Sequence, residues 1–71
     1  MKYGNNNINT YRIFLNGKFI NGTNNYDYAY NRALGIAILK EMDFVNPKSE
    51  KLTDMWIGEG EKIYITKTPK K

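Results

Sequence analysis

The sequence predicts an α+β fold in β-β-α-β-β order, a three- or four-stranded antiparallel sheet with one long helix packed on one face. Three features indicate it. Asn16-Gly17 stands between two β-branched and aromatic runs, which is the strongest short-range hairpin signal. A long stretch rich in Ala and Leu follows with helical periodicity, and residues 62–67 alternate apolar and polar side chains like a strand. The 71 residues predict a single domain, 1–71, near the lower size limit for a self-supporting core.

The first half of the chain contains the predicted hairpin and helix. Residues 1–7 have little to bury, and we expect them to be frayed. Residues 10–15 and 18–21 are the two predicted strands, because both central positions of a type I′ turn need positive φ and Asn-Gly supplies them. The helix is predicted over about residues 25–42. Its start is indicated by three candidate N-caps and an early acidic residue, Thr23, Asn24, Asn25 and Asp27.

The second half is less uniform. Asn46-Pro47 prevents the helix from continuing, and residues 47–57 allow two interpretations. Residues 53–57 fit a strand, whereas Leu52, Met55 and Trp56 also fit one face of a short helix. Residues 62–67 are predicted as the last strand, and residues 67–71 as a basic tail.

Periodicity also predicts which side chains form the core. On the strands, the residues expected to point at the helix are Tyr11, Ile13, Leu15, Ile63 and Ile65. On the helix, the predicted core stripe is Tyr26, Ala29, Tyr30, Ala33, Leu34, Ile36, Ala37 and Ile38. The three alanines recur at every fourth position, so the helix is expected to sit close to the sheet. The opposite face of the sheet then has no helix to cover it.

Composition argues against several functions. The sequence has no cysteine and no histidine, its one serine has no histidine to activate it, and its carboxylates are scattered. We therefore expect no catalytic site, no metal site and no cofactor. The longest apolar stretch, residues 33–39, is too short to span a bilayer, and residues 1–10 lack the apolar core of a signal peptide. These features predict a cytoplasmic protein without a membrane partner.

The helix carries a second apolar line opposite its core stripe, and this line predicts a protein-binding or dimer face. It contains Tyr28, Gly35, Leu39 and Met42, with Arg32 beside them. A mid-helix glycine is costly, so a neighbour is expected to approach the backbone at Gly35. The alternative is that a later segment, through Phe44, Val45 or Trp56, covers this line. The predicted protein-binding residues are Tyr28, Arg32, Leu39, Met42 and Trp56.

The uncovered sheet face gives a second hypothesis. If Met55 and Ile57 point inward, Trp56 lies on this face together with aromatic and basic residues. Such a surface stacks bases and pairs with phosphates, although it serves equally well to bind protein or to hold cross-strand aromatic pairs. The predicted nucleic-acid-binding residues are Arg12, Phe14, Lys18, Lys62 and Tyr64.

The charge distribution weakens the nucleic-acid hypothesis. The net charge is +4, but three of the lysines, Lys67, Lys70 and Lys71, belong to the basic tail. Without them the chain has eight basic and seven acidic side chains and is close to neutral.

Two resemblances add to this interpretation. Tyr11-Arg12-Ile13-Phe14-Leu15-Asn16-Gly17-Lys18, followed by Ala29-Tyr30-Asn31-Arg32-Ala33, resembles the strand-hairpin-helix units of AP2-type and arm-type integrase DNA-binding domains, which implies a sheet in the major groove. The short, Cys-free, Asn- and Lys-rich chain also resembles small accessory proteins of tailed phages, which implies inhibition of a host protein in the host cytoplasm. We expect a non-enzymatic inhibitor or regulator that binds a partner protein, with nucleic-acid binding as the alternative. A homodimer is compatible with either.

Overall fold

The computed structural model describes residues 10–68, which form five strands and one helix. The elements in chain order are β1 (Tyr11–Leu15), β2 (Lys18–Thr23), α1 (Tyr26–Leu39), β3 (Asp43–Val45), β4 (Leu52–Gly58) and β5 (Glu61–Lys67). The strands make one antiparallel sheet in the order β2-β1-β5-β4-β3. The α+β class is confirmed, with one strand more than predicted. The segment expected to be frayed, and the basic tail beyond Thr68, lie outside the described residues.

The predicted hairpin is confirmed at its turn. Asn16 and Gly17 have φ values of 53° and 86°, the positive values that a type I′ turn requires. Asn16 also joins the turn to the central strand β5, since its backbone N–H donates to the Lys62 carbonyl at 2.8 Å. In return, the Lys62 N–H donates to Asn16 Oδ1 at 2.9 Å. The asparagine therefore shapes the turn and connects it to β5.

The structure decides between the two interpretations of residues 47–57. Leu52–Gly58 is a strand, paired with β5 on one side and with β3 on the other. The prediction missed β3, which has only three residues and forms one edge of the sheet. A segment this short carries almost no periodicity, and it is a strand because β4 is present to pair with it.

The helix is shorter than predicted at its C-terminal end. Its start agrees with the sequence, because Asn25 Oδ1 accepts the Tyr28 N–H at 3.1 Å as an N-cap. It ends at Leu39, and two residues later Glu41 adopts a positive φ of 55°. The backbone N–H of Met42 then donates to the Ala37 carbonyl at 2.9 Å, and that of Glu41 to the Ile38 carbonyl at 3.1 Å. This is a Schellman ending, and it turns Met42 out of the helix and into the core.

The core lies between α1 and the inner face of the sheet. The predicted alanine ridge is confirmed, since Ala29, Ala33 and Ala37 expose at most 1% of their surface. The helix packs on β5, β1 and β2. The fully buried strand residues are Ile13, Ile63 and Ile65, as predicted, with Tyr11 and Leu15 packed beside them. Ile38 was predicted to lie in the core stripe, and this is wrong, because it is 64% exposed near the helix end.

Replacing Gly35 by alanine is expected to stabilise the domain by about 0.5–1 kcal/mol, because glycine in a helix interior carries that penalty relative to alanine. Gly35 is exposed, and a Cβ built on it would have no heavy atom of the described residues within 4 Å. No residue of 10–68 therefore approaches the backbone there, and the prediction that something does so is left to a partner. Urea unfolding measures the change. A loss of stability on substitution would show that the glycine has a structural role.

Candidate functional site

The structure divides the predicted protein-binding residues into two groups. Tyr28, Arg32 and Leu39 are exposed on α1, as predicted. Met42 and Trp56 are buried, at 9% and 2% exposure, so the prediction that they lie on a binding surface is wrong. The reason for Met42 is the early helix end, after which its side chain packs against Gly58. A Cβ on that glycine would lie 2.8 Å from Met42 Cγ, so the contact leaves no room for one.

Trp56 is buried because β4 has the opposite phase to the one expected. Its ring contacts Tyr30 of α1 and Phe44 of β3, each at 5.6 Å between centroids, on the helix side of the sheet. Met55 and Ile57 therefore point to the uncovered side. Apolar residues occur on both faces of this strand, so alternation alone does not reveal which face is buried. The large ring of Trp56 takes the inner side because the helix and β3 surround it there.

Four of the exposed residues of α1 lie on one side of the helix and are called here the helix surface: Tyr28, Arg32, Gly35 and Leu39. Their spacing of four, three and four residues places them on one side of a helix. Leu39 is 85% exposed and its neighbour Ile38 is 64% exposed, two large apolar side chains in contact with water. A shallow depression runs along this side, lined by Asn31, Arg32, Gly35, Ile36 and Leu39.

A second surface is the face of the sheet opposite α1, called here the open sheet face. The strand registers place one side chain from each strand in a single row across it. The row, in sheet order, is Phe19, Phe14, Tyr64, Met55 and Val45. In residues 10–68, no helix or strand packs on this row, and Phe19 at its end is 54% exposed. The domain thus presents apolar surface on both of its sides.

The aromatic rings in this row already contact one another. Phe14 and Tyr64 are stacked, with centroids 5.4 Å apart and planes 16° from parallel. Two rings lying flat and side by side on the sheet would overlap at this distance, so these two must face each other. Phe19 makes an edge contact with Phe14 at 5.8 Å, and the Lys62 ammonium lies 5.8 Å from the Tyr64 centroid. One face of Phe14 and one face of Tyr64 are therefore engaged within the protein and are not available to a nucleic-acid base.

The basic residues predicted for nucleic-acid binding do not all lie on this face. Arg12 and Lys62 do, since each lies two residues along its strand from the aromatic row. Lys18 does not, because it pairs with Leu15, which packs against the core on the helix side. The two-residue turn makes Lys18 the direct partner of Leu15, and the register shift between Ile13 and Phe14 lies beyond this pair, so the side of Lys18 follows from the turn itself.

A part-buried polar contact that the sequence did not reveal joins α1 to β4. The Tyr26 hydroxyl donates to Asp54 Oδ2 at 2.6 Å, and Asp54 is only 6% exposed. Burial raises the pKa of Tyr26 well above its ordinary value, and the hydrogen bond to Asp54 and its negative charge raise it further. The neighbouring tyrosines Tyr30 and Tyr11 add to this rise. The available signal was an aspartate between apolar residues in a predicted strand, which needs a donor if it is buried.

Removing the hydroxyl in Tyr26→Phe is expected to destabilise the domain by about 1–3 kcal/mol at neutral pH, because the buried Asp54 loses a hydrogen-bond donor. Tyr28→Phe is the matched control, since its hydroxyl makes only a 3.3 Å contact with the half-buried Asn21. We expect its unfolding free energy to stay within about 0.5 kcal/mol of the wild type. Urea unfolding at pH 7 distinguishes the two. Equal free energies for Tyr26→Phe and the wild type would contradict the prediction.

The same pair predicts how stability depends on pH. The folded pKa of Tyr26 is raised above the ordinary value of 10.0, so its contribution to stability is complete below about pH 10 and is lost as the pH rises beyond it. The wild type and Tyr26→Phe are therefore expected to differ most near neutral pH and to converge in alkali. Unfolding free energies measured across this range test the sign of the effect.

Two structural features bear on the class of function. Among residues 10–68, no three His, Cys, Asp or Glu side chains come together as metal ligands. No helix in the described part of the chain is long and apolar enough to cross a membrane. In comparisons with known proteins, no family model, no curated protein and no solved structure matches this chain. Its function is therefore inferred from the two surfaces of the domain.

Proposed function

We propose that this chain is a non-enzymatic binding protein that inhibits or regulates a partner protein through its helix surface. The observation that carries the proposal is the exposure of Leu39 and Ile38, at 85% and 64%, at the end of a well-capped helix. Removing apolar surface from water stabilises a complex by roughly 25 cal/mol per Å². Two adjacent aliphatic side chains of this kind provide an anchor for such a complex.

The residues around this anchor fit protein recognition. Tyr28 and Arg32 lie on the same side of α1, and tyrosine and arginine are enriched among the residues that dominate binding energy at interfaces. Gly35 lies between Arg32 and Leu39 with open space above its backbone, so an atom of the partner has room to approach closely. An amphipathic helix with anchors at this spacing binds in an apolar groove. The partner expected for this surface has such a groove, with an acidic side chain facing Arg32.

The non-enzymatic part of the proposal rests on composition. A chain with no histidine and no cysteine lacks the side chains that most often act as general base or nucleophile near neutral pH. Its buried carboxylate, Asp54, accepts a hydrogen bond from Tyr26 and contributes to packing instead. Binding is therefore the activity that its surfaces support best.

Affinity capture with surface variants tests the proposal. The wild type is used as bait in a lysate of the cells in which the chain occurs, and the captured protein is identified and its dissociation constant measured. Leu39→Lys is expected to abolish capture while the domain stays folded, because the side chain is exposed and lysine suits the negative end of the helix dipole. Phe19→Lys is the matched control, since it also replaces an exposed apolar residue but lies on β2.

The outcomes separate the two surfaces. Retained binding by Leu39→Lys, with loss in Phe19→Lys, would transfer the site to the open sheet face and overturn the proposal. Gly35→Ala gives an independent check, because it is expected to stabilise the free domain while weakening the complex. A variant that is more stable but binds less tightly excludes misfolding as the explanation.

Nucleic-acid binding is the second candidate, and one observation favours it. Arg12, Lys62 and the Phe14–Tyr64 pair lie together on the open sheet face. Against it, Phe14 and Tyr64 each have one ring face engaged by the other ring. Arg12→Glu with Lys62→Glu is expected to remove any salt-sensitive binding to oligonucleotides, whereas Lys18→Glu, on the other side of the sheet, leaves it unchanged. Fluorescence anisotropy at low and high salt measures both.

A further inference from the structure

One row of side chains on the open sheet face has opposite charges at its two ends. Lys62 of β5 pairs with Ile57 of β4, and Ile57 pairs with Asp43 of β3, so the three lie side by side across neighbouring strands. All three are exposed, and Ile57 retains 42% of its surface in water. The row therefore reads basic, apolar, acidic, and lies next to the row that contains Tyr64, Met55 and Val45.

The two charges are not paired with each other within one molecule. Neighbouring strands are about 4.8 Å apart, so side chains on β5 and β3 are separated by about 10 Å with β4 between them. Among the described residues, neither Lys62 nor Asp43 makes an ion pair, and Asp43 makes no hydrogen bond through its side chain. Within the described residues, Lys62 and Asp43 are thus not paired with an opposite charge.

We propose that two copies of this chain pack through their open sheet faces, related by a two-fold axis that runs parallel to β4. Rotation about such an axis reverses the order of the strands. Lys62 then faces Asp43 of the partner subunit, and the same contact occurs a second time by symmetry. Ile57 and Met55 meet their own copies across the axis, and Tyr64 faces Val45 of the partner subunit. An isologous interface needs this kind of self-complementarity.

A second copy explains this face better than an unrelated partner does. A row that reads basic, apolar, acidic is complementary to itself when it is reversed, and its centre is apolar on each of the two rows that cross β4. Face-to-face packing of sheets is an established way to bury such rows, with about 10 Å between the sheets. A chain of 71 residues also gains stability by associating, because its own core is small.

The dimer changes what the helix surface does, and this goes beyond the proposed function. Each sheet closes on the other, so both helices lie on the outside and face in opposite directions. The assembly then presents two copies of Leu39, one on each side, and binds two partner molecules or two sites of one assembly. Strands β1 and β2 lie beyond the overlap of the two sheets, because the axis passes over β4 and not over the centre of the sheet.

Charge reversal tests this arrangement. Asp43→Lys places lysine against Lys62 of the partner subunit, and Lys62→Glu places glutamate against Asp43 of the partner subunit. Each variant alone is expected to dimerise at least about tenfold more weakly than the wild type, because like charges then meet twice. A mixture of the two variants is expected to form the dimer again, since every facing pair is then opposite in charge. Sedimentation equilibrium and light scattering measure these masses against the 8.3 kDa chain.

The mixture also controls for folding, because restored dimerisation requires that both variants are folded. Leu39→Lys is expected to leave the dimer unchanged, which separates this proposal from the proposed function. A wild-type chain that stays monomeric at high concentration in low and high salt would overturn the proposal. So would a dimer that neither charge reversal weakens, or a mixture that stays monomeric when both variants are folded by circular dichroism. Salt-sensitive binding of an oligonucleotide by a monomer would assign this face to nucleic acid instead.

Discussion

Trp56→Ala is expected to leave the protein largely unfolded at 25 °C. Truncating a buried tryptophan costs about 3–5 kcal/mol, from lost apolar burial and from the cavity that remains. A domain of this size has a net stability of only a few kcal/mol, so the expected loss is comparable with its total free energy of unfolding. Trp56 is 2% exposed and lies between Tyr30 of α1 and Phe44 of β3. Circular dichroism and urea unfolding measure the effect.

Two controls make this prediction specific to the core position. Trp56→Phe keeps an aromatic ring between the same neighbours and is expected to lose much less stability. Ile57→Ala changes the adjacent residue, which is 42% exposed on the other face, and is expected to leave the monomer folded. A Trp56→Ala chain that unfolds at the wild-type urea concentration would show that Trp56 is not part of the core.

Ala33→Leu is expected to reduce stability by about 1–3 kcal/mol, because it forces extra methylene groups into a packed interface. Ala33 is 0% exposed and lies at the middle of the alanine ridge, where α1 meets the sheet. The larger side chain displaces the helix from β1 and β5 or takes a strained rotamer. The midpoint of urea unfolding is expected to fall accordingly.

Asn31→Leu is the matched control for this prediction. It introduces the same side chain two residues away, at an exposed position of α1, where leucine also favours the helix more than asparagine does. We expect its stability to equal or slightly exceed that of the wild type. If both leucine variants were equally stable, the close approach of α1 to the sheet would be contradicted. If Ala33→Leu and Asn31→Leu were equally destabilised, the loss of stability would come from placing leucine in this helix and not from crowding at the buried site.

The local signals in the sequence were sufficient for most of the secondary structure. Asn16-Gly17 predicted the turn correctly because the positive φ values are a property of those two residues. Asn25 was one of three predicted N-cap candidates, and the structure selects it, whereas the alanine ridge was predicted from residue type and spacing. Two strands that alternate clearly, β1 and β5, also had the correct inward faces.

The candidate sites were predicted only in part. Tyr28, Arg32 and Leu39 were correctly placed on an exposed helix side, because the helical period determines which residues share a side. Ile38 was assigned to the core from the helical period alone. That period does not show whether the sheet lies under that part of α1. The Lys62–Ile57–Asp43 row could not be predicted, since it needs the pairing of three strands that are distant along the chain.

The sequence by itself determined the α+β class, the hairpin turn, the helix start and the inner faces of β1 and β5, because each depends on the conformational preference or periodicity of neighbouring residues. Tertiary structure alone decided the end of α1, the existence of β3 and the phase of β4. In each of these the local preferences are nearly balanced. Met42 leaves the helix to pack on Gly58, and Trp56 turns inward because Tyr30 and Phe44 surround it there. Burial against distant residues outweighs a weak local preference, and so the core decides which side chains remain outside for binding.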